Sequence, residues 1–529
     1  HVTQERYGGT VAATAHLTDT LSVTGDYYLL RLEGLPDFGV PFSADPAIQR
    51  PADVDRENYY GITDRDFLKN EADVATLRLD WDPIPELRFR SVTRYGKTAN
   101  RYVVGAPESP CRFARTGTGG CPTTGIVLPE DEWTVRSNPK NSNRDNRYWA
   151  NITDVTADIA LGGIEQTLVL GGEWSDETIE NRPFSFDSIN IAPPGQPPVY
   201  VSSAGVTLNY LDPNPETRFD AALTEGPLTS VTVKNLSAYL IDTIKFSEAV
   251  QLLLGARYDS YALDWRTENP TATVRELDYD AGFWNWQASL LVKPVEALSL
   301  YASYATSTNP SGEQIDGNGA SYDGISAQTV NLEPERNKAY EIGAKYEVGG
   351  GKLLLTAALF RIDKNNAREN IGGGLYDTVG RLRSEGVELS VQGTLFDRIQ
   401  LFGGYSYTDA TIIESNNPAN VGARFANIPQ HSGSLLATVY VTERFEIGGQ
   451  VYAQDEIFGG SSAAGTAMVP GYVRFDAVAK YRFNDRFELR ANVVNIADRT
   501  YYDAIYRSGT PFAYIAPGRS ATLTLTGTF

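Results

Sequence analysis

The sequence has 529 residues, 46 basic and 66 acidic side chains, a net charge of −20 and an apolar share of 41%. This apolar share excludes general disorder, and a mean hydropathy of −0.30 without a run of about 18 apolar residues excludes membrane-spanning helices. The negative charge, with no basic tract to offset it, argues against nucleic acid as a partner. A membrane β-barrel remains open, because its strands hide an apolar face within an averagely polar sequence.

Alternation of apolar and polar residues, the period of a half-exposed strand, recurs along the whole chain. We count about 19 such segments. The predicted strands lie near residues 6–17, 21–33, 73–82, 87–99, 145–161, 164–178, 228–242, 248–263, 279–292, 298–308, 338–348, 353–364, 382–395, 399–410, 432–440, 445–454, 471–481, 487–497 and 520–529. No linker or composition break divides them, so we expect one domain spanning residues 1–529.

The last predicted strand shows the pattern most clearly. Its apolar residues are Ala521, Leu523, Leu525 and Phe529, and they alternate with Thr522, Thr524, Thr526 and Thr528. We expect the apolar set to face lipid and the threonines to face the lumen of a barrel, because burying large apolar side chains is favourable.

The connections between predicted strands alternate in length. Short turns are followed by long loops near residues 34–72, 100–143, 179–227, 264–278, 309–337, 365–381, 411–430, 455–469 and 498–518. Short periplasmic turns and long external loops are typical of outer-membrane barrels. The sequence therefore predicts an all-β fold, a transmembrane antiparallel β-barrel.

The strand count also predicts which part of the barrel this chain contains. If the last strand ends in the periplasm, the first strand runs downward and His1 lies outside. Bacterial single-chain barrels have even strand numbers, so we expect an odd number of N-terminal strands to be missing. Three missing strands would raise about 19 to about 22, the size whose lumen is normally plugged.

Two cysteines, Cys111 and Cys121, lie in a glycine-containing segment of a predicted external loop. The glycines let the chain fold back, which favours a disulfide and an oxidising compartment such as the periplasm or the cell surface. Two unpaired thiols are the alternative.

Catalytic and metal-binding signatures are absent from the sequence. His1, His16 and His431 are the only histidines, so a His-rich metal site or an HExxH helix cannot be built. No G-x-S-x-G elbow or phosphate-binding glycine loop occurs. We therefore expect no catalytic residues, no metal site and no enzyme.

Several segments resemble those of TonB-dependent siderophore receptors, particularly the catecholate-siderophore branch. They are LPDFGVPF (35–42), YYGITDRDF (59–67), ATLRLDWD (75–82), RSVTRYGKTANRYVVGAP (90–107), LEPERNKAYEIGAKYE (332–347), LFRIDKNNAREN (359–370), RSEGVELSVQG (383–393), LFGGYSYTDA (401–410), VPGYVRFDAVAKYRFNDRFELRANVVNIADRTYY (469–502) and APGRSATLTLTGTF (516–529). The resemblance covers nearly the whole chain and is more specific for the superfamily than for the ligand.

The resemblance implies active uptake of a ferric siderophore across the bacterial outer membrane. Receptors of this kind carry an N-terminal plug and an energy-coupling box that engages the TonB–ExbB–ExbD complex, and neither is in this sequence. By the same resemblance the first three barrel strands are missing. Iron would enter inside its chelator, with no cofactor bound by the protein itself, and outer-membrane lipid and lipopolysaccharide would surround the barrel.

A ferric tris-catecholate is an anion with aromatic faces, so its pocket should combine arginine donors with stacking rings. Candidates are residues just above the external strand ends, with Arg507 and Tyr514 as the preferred pair on a Tyr- and Gly-containing loop. The others are Arg101, Tyr102, Arg112, Arg115, Tyr148, Trp149, Arg368 and Tyr376. The alternative roles are membrane-interface aromatics and arginines paired with loop acids or lipopolysaccharide phosphate.

Two other functions fit the sequence. A TonB-dependent transporter could carry a different nutrient, such as a carbohydrate or cobalamin, and iron-limited growth would separate it from a siderophore receptor. A passive porin or structural barrel would lack a plug, and the sequence upstream of His1 would identify it.

Overall fold

Antiparallel pairing of successive strands builds most of the chain into one large sheet. The structure, a computed structural model, describes all residues except 1, 116–120, 187–188, 191–199, 202–204, 220–221, 269–273, 313–328, 373–374, 460–466, 507–509 and 529. At 189–190, 200–201, 274, 369–372, 375–377 and 379 it describes the backbone alone.

The strands are, in chain order, β1 Thr3–Thr18, β2 Leu21–Leu35, β3 Val40–Pro41, β4 Phe67–Ile84, β5 Leu87–Cys111, β6 Thr134–Leu161, β7 Ile164–Asn181, β8 Phe184–Phe186, β9 Ile189–Asn190, β10 Tyr200–Val201, β11 Val206–Asn209, β12 Leu223–Glu225, β13 Thr229–Ser247, β14 Val250–Glu268, β15 Val274–Val295, β16 Leu298–Asn309, β17 Glu335–Val348, β18 Leu353–Gly372, β19 Leu375–Leu395, β20 Ile399–Glu414, β21 His431–Tyr440, β22 Phe445–Gln454, β23 Ile457–Phe458, β24 Met468–Val469, β25 Tyr472–Arg482, β26 Phe487–Val494, β27 Tyr502–Tyr506, β28 Phe512–Ile515 and β29 Ser520–Gly527. In the described part of the chain, short 3-10 helices occupy Glu130–Glu132 and Pro418–Asn420. Among the described residues, no helix is long and apolar enough to cross a membrane.

The sheet confirms the predicted strand order. Of its 20 strands, β11 is a four-residue strand that pairs with the upper end of β6, and the other 19 are the predicted segments. Several strands are longer than predicted at the external end. Half of the loop predicted at 100–143 belongs to the paired ends of β5 and β6, and the described part of the one predicted at 365–381 is the paired ends of β18 and β19. These two loop predictions were wrong because pairing continues above the apolar belt, where alternation of polarity no longer marks it.

The meander of 19 long strands has two edges among the described residues, β1 and β29. β1 pairs with β2 and β29 pairs with β26, and no pairing joins the two edges. An antiparallel meander of 19 long strands gives its first and last strands the same direction. Antiparallel closure between these edges therefore requires an odd number of intervening strands.

The register separates an apolar face from a polar face. Leu523 of β29 lies beside Ala491, in the same row as Ala479 and Ile447, whereas Thr524 lies beside Arg490, in the same row as Lys480 and Glu446. The large side chains of the apolar row are exposed, with Leu523 70% accessible, as expected of a lipid-facing surface. Glu446 is 7% exposed, because side chains crowd on the concave side. The predicted facing of Ala521, Leu523, Leu525 and the threonines is confirmed, and Phe529 lies outside the described residues.

Aromatic rings mark the outer face near the external ends of the strands. Tyr95 and Trp149 lie 4.6 Å apart between ring centroids. Trp284 stacks on Trp286 at 5.3 Å and lies 5.2 Å from Tyr258. Rings in this position are typical of the aromatic girdle at a membrane interface.

A lysine at Leu523 should impair barrel assembly far more than a lysine at Thr524. The first places a charge in the lipid-facing row, at a cost of about 2 to 4 kcal/mol near the bilayer midplane. The second enters a polar, wet face and should cost under about 1 kcal/mol, even opposite Arg490. Heat-resistant migration of the full-length protein in outer membranes measures assembly, and equal loss in both variants would contradict the register.

The largest buried apolar cluster lies in the external connections. It consists of Val40, Phe42, Ala44, Ala52, Tyr60, Ile62, Val135, Leu208, Tyr210, Ile457, Ala467, Val469, Ile505 and Ala513. We call the described parts of segments 36–66, 205–219, 457–469 and 501–516, together with the top of the β5/β6 hairpin, the external cap. Strand β3 pairs with β28, and the backbone NH of Met468 donates to the oxygen of Gln49 at 2.9 Å. The external connections thus form one packed layer.

Candidate functional site

A buried ion pair holds the external cap on the β5/β6 hairpin. The side chains of Arg65 and Asp66 are 1% and 0% exposed, and Arg65 Nε lies 2.7 Å from Asp66 Oδ1. Arg65 also donates to the backbone oxygen and hydroxyl of Ser137 at 3.0 and 2.8 Å. Asp66 Oδ2 accepts from the backbone NH groups of Ile62 and Gly105 at 3.1 and 2.7 Å. Both charges are therefore satisfied without water.

Glycine at position 105 lets the Arg65 guanidinium lie against Ser137 of the β5/β6 hairpin. A Cβ atom there would lie 2.2 Å from the Ser137 hydroxyl oxygen and 2.7 Å from Arg65 Nη2. Those distances are far below van der Waals contact, so any side chain would push the arginine away from the hairpin. The guanidinium is also covered by the ring of Phe219, whose centroid lies 5.5 Å away.

Four aromatic rings of the cap form a cluster around Phe512, which we call the ring cluster. Phe512 stacks on Tyr506 at 4.6 Å and on Phe38 at 5.7 Å, and Tyr514 lies edge-on at 5.6 Å from Phe512. The ammonium of Lys140 lies 5.4 Å from the Tyr506 ring centroid and 2.7 Å from Glu108. The predicted residue Tyr514 thus belongs to an aromatic cluster with a neighbouring cation. Its predicted companion Arg507 lies outside the described residues.

A second group, the arginine cluster, lies at the external end of β25. Arg474 pairs with both oxygens of Asp476 at 3.1 and 3.0 Å and donates to the Tyr501 hydroxyl at 3.0 Å. The rings of Tyr452 and Tyr501 lie 5.6 and 5.8 Å from its guanidinium carbon, and Tyr472 lies 4.4 Å from Tyr501. Arg474 belongs to the polar, inward row of the sheet. Together these side chains present guanidinium and ring edges at the mouth of the lumen.

Sequence reasoning missed the arginine cluster. A signal was available in VRFDA, where Arg474 and Asp476 are two residues apart in a predicted strand and therefore share a face. The same parity rule would have assigned both to the lumen, opposite Val473 and Phe475. Phe38 of the ring cluster and the neighbouring cation Lys140 carried no comparable signal, because their neighbours come from distant parts of the chain.

The structure separates the candidates on β5 and β6 by face. Arg101 and Trp149 belong to the outer row: Arg101 pairs with Asp145, and Trp149 packs on Tyr95. Tyr102 and Tyr148 alternate with them and belong to the inner row. A ligand contact remains a prediction for all four residues, and their facing favours the two tyrosines.

Arg112 and Arg115 lie beside the disulfide segment. Arg112 pairs with Asp45 at 3.1 Å and lies over the Phe113 ring at 5.4 Å. Arg115 donates to the Thr134 hydroxyl at 2.8 Å and to the backbone oxygen of Ser109. Burial, together with nearby Arg136, lowers the pKa of Arg115 below its usual value. Both arginines thus have protein partners in the cap.

The remaining candidates lie on the β18/β19 hairpin. Arg368 donates through Nη2 to the backbone oxygen of Asn309 at 3.3 Å, and its NH donates to Glu335 at 3.1 Å. Tyr376 pairs through its backbone with Asn370, and its side chain lies outside the described part of the chain. Ligand contact remains a prediction for both residues.

The predicted disulfide between Cys111 and Cys121 is confirmed, with a Cα–Cα distance of 5.3 Å. Cys111 is the last residue of β5, so the bridge lies at the top of the hairpin that carries the cap. It therefore restrains an external connection, as the sequence predicted.

A bidentate ion pair joins the external cap to the connection that follows β26. Arg56 donates through Nη1 and Nη2 to the two oxygens of Asp498, both at 2.9 Å. These bonds, with the backbone NH of Arg519, lower the pKa of Asp498 to about 2. In contrast, burial raises the pKa of Asp37 above its usual value, despite the bond from the Gly39 NH.

Acid should release the Arg56–Asp498 contact. A carboxyl whose pKa is depressed in the folded state stabilises the fold above its unfolded pKa, roughly 3.9, and loses that contribution as the pH falls through the folded value. We therefore expect proteolytic nicking near residues 50–56 to rise between about pH 4 and 2 with an acid-stable protease. The Asp498→Asn variant should be cleaved faster than the wild type at pH 7 and should show no further rise in cleavage between about pH 4 and 2. The same pH profile in both proteins would contradict the role of this ion pair.

The described groups of histidine, cysteine, aspartate and glutamate include no set of three that could hold a metal ion. A large antiparallel sheet, apolar outside and polar inside, with long connections at one end and tight turns at the other, defines a transmembrane β-barrel of the outer-membrane type.

Comparison with known families and proteins specifies this class further. Residues 11–496 match the family described as TonB dependent receptor-like, beta-barrel. The probable TonB-dependent receptor BfrD of Bordetella pertussis is 30% identical over 96% of this chain and 68% of its own length. The probable TonB-dependent siderophore receptor PiuA of Acinetobacter baumannii is 28% identical over 98% of this chain and 69% of its own.

A solved structure agrees with these sequence matches. The crystal structure of the siderophore receptor PiuA from Acinetobacter baumannii matches with a TM-score of 0.87 and 26% identity, covering 99% of this chain and 74% of that one. The chain therefore belongs to the TonB-dependent receptor family, as its β-barrel, and is a protein of the bacterial outer membrane.

Proposed function

We propose that this chain is the barrel of an active importer of ferric siderophores, with a catecholate type as substrate. The observation that carries the proposal is the arginine cluster, where a guanidinium is held between tyrosine rings at the mouth of the lumen. An anionic chelate with aromatic faces is recognised by this combination of charge-assisted donors and ring surfaces. The names of related proteins, siderophore receptor PiuA and catecholate siderophore receptor Fiu, support the same substrate class.

The charge balance explains why a local site is needed. A net charge of −20 opposes the approach of an anion, so attraction must come from grouped cations. Arg474 and Lys140 place cationic donors beside rings, and each is also paired with a carboxylate, Asp476 or Glu108. The ring cluster and the arginine cluster lie at the tip and the base of the β27/β28 hairpin. A chelate held against this hairpin would contact both.

Transport of this kind needs no bond of the ligand to break, so we propose a receptor without catalytic activity. Iron would pass inside its chelator, and the protein would bind no cofactor of its own. We further propose that an odd number of strands between β1 and β29 closes the barrel and that a plug couples it to the TonB–ExbB–ExbD complex. The open edges and their common direction support the first of these proposals.

Titration of the purified full-length receptor with ferric catecholate, ferric hydroxamate and iron-free chelator tests the proposal. Arg474→Gln should weaken ferric catecholate binding by roughly ten- to a hundredfold, since a charge-assisted contact contributes about 1.5 to 3 kcal/mol when partly desolvated. Arg482→Gln, at the opposite end of β25, is the matched control and should bind normally. Arg507→Ala tests the preferred candidate from the sequence.

Three results would count against the proposal. Preference for the hydroxamate would exclude the catecholate class. Equal binding by wild type and Arg474→Gln would remove the arginine cluster from the site. No uptake of any ferric chelate by iron-limited cells expressing the full-length protein would favour another nutrient.

A further inference from the structure

The β27/β28 hairpin and the stems on either side of it lie at the mouth of the lumen, and we call the described residues of 495–519 the mouth arm. Its tip carries Tyr506 and Phe512 of the ring cluster, and its base carries Tyr501 of the arginine cluster. The backbone NH of Ala516 donates to the oxygen of Tyr501 at 2.9 Å, so the two stems lie side by side at the base. A contact that fixes the stems therefore fixes both clusters.

One buried asparagine joins the two stems. Asn495 directly follows β26 and is 0% exposed. Its Oδ1 accepts the backbone NH of Arg499 at 3.0 Å, and its Nδ2 donates to the backbone oxygens of Arg499 and Pro517 at 2.9 and 3.4 Å. We call these three hydrogen bonds the clasp. A φ of 55° places Asn495 in the left-handed region, which asparagine and glycine adopt more readily than other residues.

Asn495 also contacts the arginine cluster through its backbone. Its NH donates to Asp476 Oδ1 at 2.8 Å, and the same oxygen accepts from Nε of Arg474 at 3.1 Å. Arg474 also donates through Nη1 to the hydroxyl of Tyr501 at 3.0 Å. Tyr501 lies two residues after Arg499, within the stem that the clasp holds. Asn495 thus fixes two partners of the guanidinium, Asp476 through its backbone NH and Tyr501 through the stem.

The orientation of Arg474 matters because its charge is already balanced. Both oxygens of Asp476 accept from its guanidinium. A neutralised pair attracts a distant anion weakly, so recognition depends on the directions of the N–H groups at close range. A guanidinium has five N–H donors, and the described contacts of Arg474 use three of them. The other two can meet a ligand only in the geometry that Asp476 and Tyr501 impose.

We propose that Asn495 is a positioning residue for ligand recognition, which holds Arg474 and the rings of the mouth arm in one geometry. The identity of the ligand rests on the proposed function, whereas the clasp rests on the hydrogen bonds of Asn495. Because Asn495 is fully buried, it acts through Arg474 and Tyr501 and does not touch the ligand. Loss of its side chain should therefore weaken the joint action of the two clusters while leaving their residues in place.

Titration of the full-length receptor with ferric catecholate measures the effect of Asn495→Gly, which keeps the left-handed backbone and removes the amide. The Kd should rise about tenfold, and the same change in the Arg474→Gln background should add less than about twofold, because residues that act through one another are not additive. Asn484→Gly is the matched control and should bind as the wild type. Asn484 lies before the opposite end of β26, where its Oδ1 accepts the backbone NH groups of Arg486 and Phe487 at 2.9 and 3.0 Å.

A distance measurement reports the position of the mouth arm without any ligand. Spin labels on Thr500→Cys in the arm and Lys97→Cys on β5, both exposed positions, give a distance distribution by pulsed electron paramagnetic resonance. The chain's own two cysteines are joined in a disulfide and do not take the label. Asn495→Gly should broaden this distribution, and Asn484→Gly should leave it unchanged.

Three results would overturn the positioning role. They are wild-type affinity in Asn495→Gly, an equal loss of affinity in the Arg474→Gln background, and an unchanged distance distribution. If Asn495→Gly does not assemble, Asn495→Asp is the second variant, because it keeps the shape and the left-handed φ but places a carboxylate oxygen against the backbone oxygens of Arg499 and Pro517. The same losses are expected, and failure of both variants to assemble would assign Asn495 to folding alone.

The distance measurement also separates this inference from the proposed function. A wild-type receptor that binds no ferric chelate, together with a broadened distribution in Asn495→Gly, would overturn the proposed function and leave the clasp standing. A receptor that binds ferric catecholate with the same affinity in the wild type and in Asn495→Gly would overturn the positioning role and leave the proposed function standing.

Discussion

Replacing Asp66 with alanine should destabilise the external cap by about 3 to 5 kcal/mol, the usual cost of leaving one member of a buried ion pair without its partner. Arg65 would keep its bonds to Ser137 but would lose the carboxylate that neutralises it. The backbone NH groups of Ile62 and Gly105 would lose their acceptor as well. Because Arg65 and Asp66 directly precede β4, we expect segment 36–66 to detach while the barrel stays folded.

Limited proteolysis of the full-length receptor measures this effect, with cleavage in segment 36–66 as the readout. Asp64→Ala is the matched control, since Asp64 is exposed two residues away and should change stability by less than about 0.5 kcal/mol. Replacing the pair with apolar residues of similar volume should restore much of the protection. Cleavage of Asp66→Ala at the wild-type rate would refute the role of this pair.

Phe512→Ala should remove the centre of the ring cluster. The Phe512 side chain is 0% exposed and contacts the rings of Phe38, Tyr506 and Tyr514. Truncating a buried phenylalanine costs about 3 to 5 kcal/mol through lost burial and the cavity left behind. The affinity for ferric catecholate should fall as well, because the remaining rings would no longer be held in position.

The measurement pairs proteolysis of segment 501–516 with chelate titration. Phe396→Ala is the control, because Phe396 is 79% exposed at a turn on the opposite end of the barrel. Phe512→Leu, which keeps most of the volume, should preserve the cap and still weaken binding if ring stacking recognises the ligand. Unchanged binding by both Phe512 variants would place the ligand away from the ring cluster.

The sequence predicted the barrel strands well because a membrane-spanning strand alternates apolar residues that face lipid with polar residues that face the lumen. Leu523 and Thr524 could be assigned to opposite faces from their alternation, and the register confirms both. Above the apolar belt both sides of a strand meet water or protein, so alternation fades. The upper ends of β5 and β18 were therefore predicted as loops.

The candidate site was predicted only in part, for a different physical reason. Residue type and position beside a strand end identified Tyr514, which the structure places in the ring cluster. Lys140 and Phe38 are more than 350 residues from their partners in this cluster, and no local pattern encodes such a contact. The inward facing of Arg474 could have been predicted from the alternation along its strand, but its contacts with Tyr452 and Tyr501 could not.

The external cap also has a kinetic meaning. The ion pair between Arg56 of the cap and Asp498, just before its last segment, joins residues 442 positions apart in the chain. Forming a contact of such large sequence separation costs loop-closure entropy, and this cost is small only when the intervening chain is already ordered. Strand pairing along the meander supplies that order step by step, so the cap should be the last part of the described chain to fold. An antibody that recognises segments 36–66 and 501–516 together would therefore detect completed receptors and ignore assembly intermediates.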